Sequence, residues 1–144
     1  MVMYDGYIYM VGNILEAGEK ANVYLSKYSK SGYQVWEKTY DHNMLDDYGI
    51  TIKIDSNNHV IVGANSESTT GGFDMLVLKY DTAGTQNNTY RYNGIANMED
   101  LLYDLETDTQ GNVFVTGSSE SPAGDKDILT LRLNSNTFLK DWEA

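Results

Sequence analysis

Short runs of apolar and β-branched residues alternate with turns rich in Asp, Asn, Ser and Gly along the chain. Runs of this length are typical of β-strands, and turn residues of these types close hairpins. Some runs are apolar at every position, as from Met75 to Leu78. Because successive side chains of a strand point to opposite faces, such a run predicts burial on both faces. The pattern therefore predicts an all-β protein in which sheets cover one another.

The strand pattern repeats. The segment from Asp55 to Tyr80 aligns without a gap onto Asp108 to Leu133, 53 positions later. A looser copy, Gly6 to Ser29, fits Gly111 to Asn134 at an offset of 105. Each copy contains four predicted antiparallel strands, the last one ending in a stub near Phe138 to Trp142. Four strands in about 50 residues is the size of one blade of a β-propeller.

The repeats predict a single repeat domain over residues 1–144 with about three blades, at about 1–40, 46–92 and 99–144. Propellers close with about four to eight blades, so three predict an incomplete ring. Further blades would come from a longer chain or from a homo-oligomer. Tight turns fall at one end of the blades. The long connections fall at the other, here named the long-loop end, at residues 13–21, 41–47, 65–73, 93–100 and 118–126.

The stretch from Asp108 to Gly117 resembles the signature Asp-x-x-Gly-Asn-x-Tyr-Val-x-Gly of a bacterial and archaeal β-propeller repeat family. Asp74 to Asp81 and Val35 to Tyr40 look like the later elements of the same repeat. The second copy departs from the pattern, with Asn58-His59 in place of Gly-Asn. The resemblance implies a propeller, often in secreted or cell-surface proteins. It implies no single activity and supplies no catalytic residues.

Composition narrows the range of partners. The chain has 21 acidic and 10 basic residues, a net charge of −11, which repels nucleic-acid phosphates and anionic lipids. No apolar run approaches the roughly 18 residues of a membrane span, so membrane insertion is not expected. Cysteine is absent, which removes disulfides and thiolate chemistry. Basic proteins, glycans and cations are the favoured ligands.

Repeated carboxylates at the long-loop end are the candidate ligand-binding residues. Asp46-Asp47 and Glu99-Asp100 precede the first strands of blades two and three, and Glu67 and Glu120 occupy matched loops. In a propeller, the starts of the first strands rim the central channel. Carboxylates there suit a hard cation such as Ca²⁺, which takes six to eight oxygens. The alternative is that these acids only begin strands and keep the surface hydrated.

Three basic residues recur at one position of the third strands, namely Lys27, Lys79 and Arg132. We expect them to form structural ion pairs with acids of a neighbouring blade. The turns that begin at Asp55 and Asp108 resemble calcium loops but lack the glutamate at the twelfth position of an EF-hand. They are interpreted as hairpin turns.

The sequence contains no nucleophile elbow, phosphate loop or zinc-binding helix motif, and no catalytic residue is predicted. The leading hypothesis is a non-catalytic propeller module that binds a ligand or a protein through its acidic long-loop end. One alternative is a fragment of a propeller-fold polysaccharide hydrolase or lyase that uses paired carboxylates. Another is a purely structural repeat. Fold class does not decide among these.

Overall fold

The computed structural model describes residues 1–15 and 20–144, which form β-strands and no helix. Consequently no helix in this part of the chain could cross a bilayer. Sheet 1 contains β1 (Val2–Tyr4), β2 (Tyr7–Leu15), β3 (Ala21–Ser29) and β4 (Gln34–Tyr40). Sheet 2 contains β5 (Asp47–Ile54), β6 (Val60–Glu67), β7 (Phe73–Tyr80) and β8 (Gln86–Tyr92). Sheet 3 contains β9 (Asp100–Thr107), β10 (Val113–Glu120), β11 (Lys126–Leu133) and β12 (Lys140–Glu143).

Each sheet is a four-stranded antiparallel meander whose strands lie in chain order, and none closes into a barrel. The all-β prediction and the division into three four-stranded repeats are therefore confirmed. The irregularities of pairing repeat as well. The register shifts after Lys27, Lys79 and Arg132, at the same position in the three sheets. A repeated bulge of this kind twists each fourth strand in the same way.

The sheets pack face to face through two hydrophobic clusters. In the first, Tyr9, Val23 and Leu25 of sheet 1 meet one face of sheet 2, which carries Val62 and Leu78. In the second, the other face of sheet 2 meets sheet 3, with Ile61, Met75, Val77, Leu105, Val115 and Leu131 among its members. Strands β6 and β7 are thus covered on both sides, as their continuous apolar runs predicted. Each fully buried Leu or Val contributes roughly 1.5–3 kcal/mol to stability.

Aspartates shape the tight turns. The Asp55 side chain accepts hydrogen bonds from the amides of Asn57 and His59, at 2.9 and 2.8 Å. Asp81 and Asp108 make the same pair of bonds in their own turns. Such bonds mimic a backbone turn and account for the recurrence of Asp in the sequence. The carboxylates of these turns are engaged by amides, as the hairpin interpretation requires.

The last strand begins later than the sequence predicted. The predicted stub starts at Phe138, but β12 covers Lys140–Glu143. Phe138 lies in the preceding turn with a φ of 54°, and its ring is buried in the second cluster. Burial of the ring takes precedence over extended backbone at this residue, so the strand starts after it.

Candidate functional site

Asp47 and Asp100 begin the first strands of sheets 2 and 3 and are almost completely buried. The Asp47 Oδ2 atom accepts the amide of His42, and the Asp100 Oδ2 atom accepts the amide of Gly94, both at 2.6 Å. The two bonds are equivalent and fasten each long loop to the strand that follows it. These carboxylates therefore hold loops in place rather than facing solvent at an open rim.

The pKa values of two neighbouring aspartates are shifted in opposite directions, by burial for Asp47 and by hydrogen bonds for Asp46. Desolvation raises the pKa of Asp47, partly offset by hydrogen bonds from Ser66 and the His42 amide. For Asp46, hydrogen bonds from the Lys20 ammonium and the Ala21 amide lower the pKa. Desolvation also raises the pKa of Asp74, although the Arg91 guanidinium, 2.9 Å from its Oδ2, opposes the shift. Adjacent acids in this loop are thus expected to respond differently to pH.

We expect Asp47→Asn and Asp46→Asn to change the pH dependence of stability with opposite signs. Because the folded-state pKa of Asp47 is raised, its favourable contribution is present below the unfolded value of 3.8 and is lost as pH rises through the folded pKa. Asn does not titrate, so D47N should gain stability relative to the parent as pH rises above 3.8. For Asp46 the lowered pKa gives a contribution that is present above 3.8 and lost as pH falls. D46N should therefore lose stability relative to the parent as pH rises to about 3.8, below the pH range in which D47N gains it.

Urea unfolding of both variants and the parent at several pH values measures these differences. D46N is a matched control because it makes the same chemical change one residue away. Slopes of the same sign for the two variants would contradict the assigned environments.

Asp46 and Glu67 join sheets 1 and 2 through one lysine. The Lys20 Nζ atom lies 2.8 Å from Asp46 Oδ2 and 3.5 Å from Glu67 Oε2. Asp46 also accepts the Ala21 amide at 2.8 Å, and its own amide donates to Glu67 at 3.0 Å. Both acids are therefore engaged in contacts that hold the long loops together.

Glu99 and Glu120 occupy the equivalent place at the boundary of sheets 2 and 3. Glu99 forms an ion pair with Lys126 of sheet 3, and the Glu120 amide donates to the Glu99 carbonyl at 3.0 Å. Among residues 1–15 and 20–144, no basic group forms an ion pair with the Glu120 carboxylate. Of the six predicted acids, Glu120 is the one whose carboxylate accepts no hydrogen bond and forms no ion pair among these residues, although Lys126 is close enough to feel its charge.

Two clefts meet at Glu120. The first, here called the loop cleft, has a volume of about 360 Å³ and lies at the long-loop end between sheets 2 and 3. Its walls are Thr70, Gly71, Gly72, Asn97, Met98, Glu99 and Glu120. The second, the edge cleft, measures about 220 Å³ and includes Tyr92, Ile95, Asp127, Ile128 and Glu143. The sequence pointed to Glu99 and Glu120, but it gave no signal for Met98, Ile95 or Ile128.

Tight backbone packing forms the floor of the loop cleft. A Cβ atom on Gly72 would lie 2.9–3.0 Å from backbone atoms of Met98 and Glu99, and the φ of Gly72 is 77°. Only glycine allows this approach without a shift of the chain. The β6–β7 loop can therefore lie directly against the β8–β9 loop, which leaves Glu120 at the side.

Two of the three recurring basic residues contact the neighbouring sheet, and they do so through backbone carbonyls and not through acids. Lys27 Nζ donates to the Thr82 carbonyl at 2.8 Å, and Lys79 Nζ donates to the Ser135 carbonyl at 3.1 Å. Thr82 and Ser135 lie in equivalent turns of the following sheets. Arg132, the third member, pairs with Asp141 of its own sheet at 2.7 Å. The expectation of acidic partners on a neighbouring blade is thus replaced by a repeated lysine–turn contact.

Neither known family models nor curated proteins give a match to this chain. In the described part of the chain, no three His, Cys, Asp or Glu side chains converge in a way that could hold a metal ion. Calcium binding stays a prediction, and five of the six candidate acids already accept amide or lysine hydrogen bonds. Two further acids of the long-loop end, Glu16 and Glu19, lie outside the described residues.

Proposed function

We propose that this chain is a non-catalytic β-propeller module that binds a cationic segment of a partner protein in the loop cleft. The observation that carries the proposal is the Glu120 carboxylate, which has no ion-pair partner among the described residues and lines a cleft of about 360 Å³. Support for propeller blades comes from the repeated face-to-face packing and the repeated lysine–turn contact. The likeness to the propeller repeat family agrees with this.

The chemistry of the loop cleft suits a lysine or arginine side chain. Glu120 supplies a carboxylate for a charge-assisted hydrogen bond, and Met98, 39% exposed, supplies apolar surface for the aliphatic stem. Gly71 and Gly72 also line the cleft. The net charge of −11 increases the rate of encounter with a basic partner and decreases it for an acidic one.

Glu120→Gln should weaken binding of a fluorescently labelled hexalysine peptide about fivefold, since a charged hydrogen bond contributes on the order of 1 kcal/mol. Fluorescence anisotropy at fixed low salt measures the dissociation constant. The matched control is Asp5→Asn, which removes one negative charge at the far, tight-turn end. Asp5 has a φ of 45°, which asparagine tolerates.

Comparison of E120Q with D5N distinguishes binding at Glu120 from general attraction between opposite charges. The proposal predicts a loss confined to E120Q, with D5N within about twofold of the parent. Equal losses in the two variants would contradict a site at Glu120. Turnover of a polysaccharide panel would indicate the hydrolase or lyase alternative, and no binding to hexalysine or to a glycan array would indicate a structural repeat.

A further inference from the structure

The outer face of sheet 3 carries residues that are buried in the other two sheets. Val23 of sheet 1 and Met75 of sheet 2 are each 1% exposed, because the next sheet covers them. Ile128 occupies the same repeat position in sheet 3 and is 84% exposed. Phe114 is likewise the counterpart of the buried Tyr9 and Ile61. This face is built like an internal interface, but none of residues 1–15 and 20–144 covers it as a neighbouring sheet covers the other two.

The outer face of sheet 3 also carries the hydrogen-bond donors that occur at the internal interfaces. In sheet 1, Lys27 Nζ and the Trp36 indole both donate to the Thr82 carbonyl, at 2.8 and 3.2 Å. In sheet 3 the corresponding residues are Arg132 and Trp142, and Trp142 is 41% exposed. Their N–H groups can therefore donate to a turn carbonyl of another sheet, as Lys27 and Trp36 do at the internal interface.

Sheet 1 has a turn like those whose carbonyls accept the lysine hydrogen bonds at the internal interfaces. Its turn from Ser29 to Gly32 is closed by a bond from the Gly32 amide to the Ser29 carbonyl, as the Asp81 turn is by Gly84. Lys30 therefore stands at the position of Thr82 and Ser135. The outer face of sheet 1 also exposes apolar surface, with Met3 at 62% and Met10 at 42%. One chain thus has both halves of the contact, at its opposite ends.

We propose that the outer face of sheet 3 binds the outer face of sheet 1 of a second copy. In this head-to-tail arrangement Arg132 donates to the Lys30 carbonyl of the second copy, and Ile128 enters the interface. Two copies joined in this way have two identical interfaces and close on a two-fold axis. The pair contains six sheets, which lies within the usual range for closed propellers.

The composition of sheet 1 indicates that this association is reversible. Tyr24 and Ser26 replace leucines that stand at the equivalent positions of sheet 2, Leu76 and Leu78. Tyr24 also takes part in a polar network with Gln34 and Glu37 on this face. A more polar face gains less on burial, so we expect the pair to separate on dilution.

Light scattering of the chain at several concentrations tests the pairing. The parent should approach twice the chain mass of 16.2 kDa at high concentration and separate on dilution. Ile128→Asp should give the single mass throughout, since it places a charge in the contact. Met44→Asp is the control, at a residue 80% exposed in the β4–β5 loop, and should keep the double mass. A parent that stays at the single mass, or an unchanged I128D, would overturn the proposal.

A photo-crosslink distinguishes head-to-tail pairing from other arrangements. Benzoylphenylalanine at position 128 should react with residues of β1, β2 or β3 of the second copy, as identified by mass spectrometry. Products with β9 to β12 would show that two sheet 3 faces meet, which contradicts the head-to-tail contact. Circular dichroism of I128D confirms folding. Peptide binding in the loop cleft is measured separately, so failure of either proposal is recognisable without the other.

Discussion

Gly117→Ala is expected to lower the free energy of unfolding by about 3 kcal/mol or more. Gly117 is buried in β10 beside the bulge that pairs this strand with β9. A Cβ atom there would lie 1.9 Å from the Leu101 carbonyl oxygen and 2.7 Å from Met75 Cε. The methionine can move, but the carbonyl belongs to the strand ladder. Relief of the clash therefore requires the backbone of β9 or β10 to shift.

The control for this variant is Gly12→Ala, at the same repeat position in sheet 1. Nothing lies within 4 Å of a Cβ atom at Gly12, so this change should be nearly neutral. Urea or thermal unfolding of both variants measures the difference. Equal stabilities for G117A and G12A would show that β9 does not approach β10 as closely as described.

Lys79→Met should lower the free energy of unfolding by about 2–3 kcal/mol. Lys79 is 5% exposed and donates to the Ser135 carbonyl of sheet 3. Its Nζ atom also lies 3.9 Å from the buried carboxylate of Asp55. Methionine keeps the volume but leaves the carbonyl without its donor and removes the lysine charge near the carboxylate, which keeps its amide hydrogen bonds. The Ser135 carbonyl and the Asp55 carboxylate then stay buried with fewer favourable interactions, which destabilises the folded state.

Lys27 and Arg132 occupy the same repeat position as Lys79, and we expect smaller losses in the free energy of unfolding when they are replaced. Lys27→Met removes the bond to the Thr82 carbonyl but leaves no acid unpaired, so we expect a loss of about 1 kcal/mol. Arg132→Met removes a partly exposed pair with Asp141 and should cost less than about 1 kcal/mol in the separated chain. Urea unfolding in dilute solution measures all three. An effect of Arg132→Met as large as that of Lys79→Met would contradict the difference between internal and open faces.

The sequence was sufficient to predict the sheets because burial and turns leave local patterns. The unbroken apolar run from Met75 to Leu78 required cover on both faces, and the structure provides it. The Asp-Gly pair at positions 5 and 6 is a strong sequence signal for a tight hairpin, and both residues have positive φ. The alignment at 53 positions revealed the repeat. The apolar run and the turn involve residues that are adjacent in the chain, and the repeat is visible when one copy is aligned with another.

The partners of individual side chains could not be predicted in this way. Whether Lys79 meets an acid or a carbonyl depends on how sheet 3 sits on sheet 2, which involves residues more than fifty positions apart. The depth of Asp47 and Asp100 depends equally on the loops that cover them. Phe138 was placed in a strand because nothing local showed that its ring would be buried from a turn.

The residues of the loop cleft also divide into those that the sequence predicts and those that it does not. Acidic residues at matched loop positions could be found by comparing the repeats, and Glu99 and Glu120 are among its walls. Met98 is not part of a repeated pattern, and it enters the cleft because Gly72 allows two loops to touch. A single sequence therefore indicated the charge of the site but not its apolar wall.

Hydrogen–deuterium exchange of dilute, unpaired chain tests most directly whether sheets 1 and 3 cover sheet 2 from both sides. Amides of β6 and β7 should exchange most slowly, because opening them disrupts both hydrophobic clusters. Amides of β11, which have one open face, should exchange faster. If β6 and β7 exchange as fast as β11, sheet 2 is not enclosed by its neighbours and face-to-face stacking is wrong.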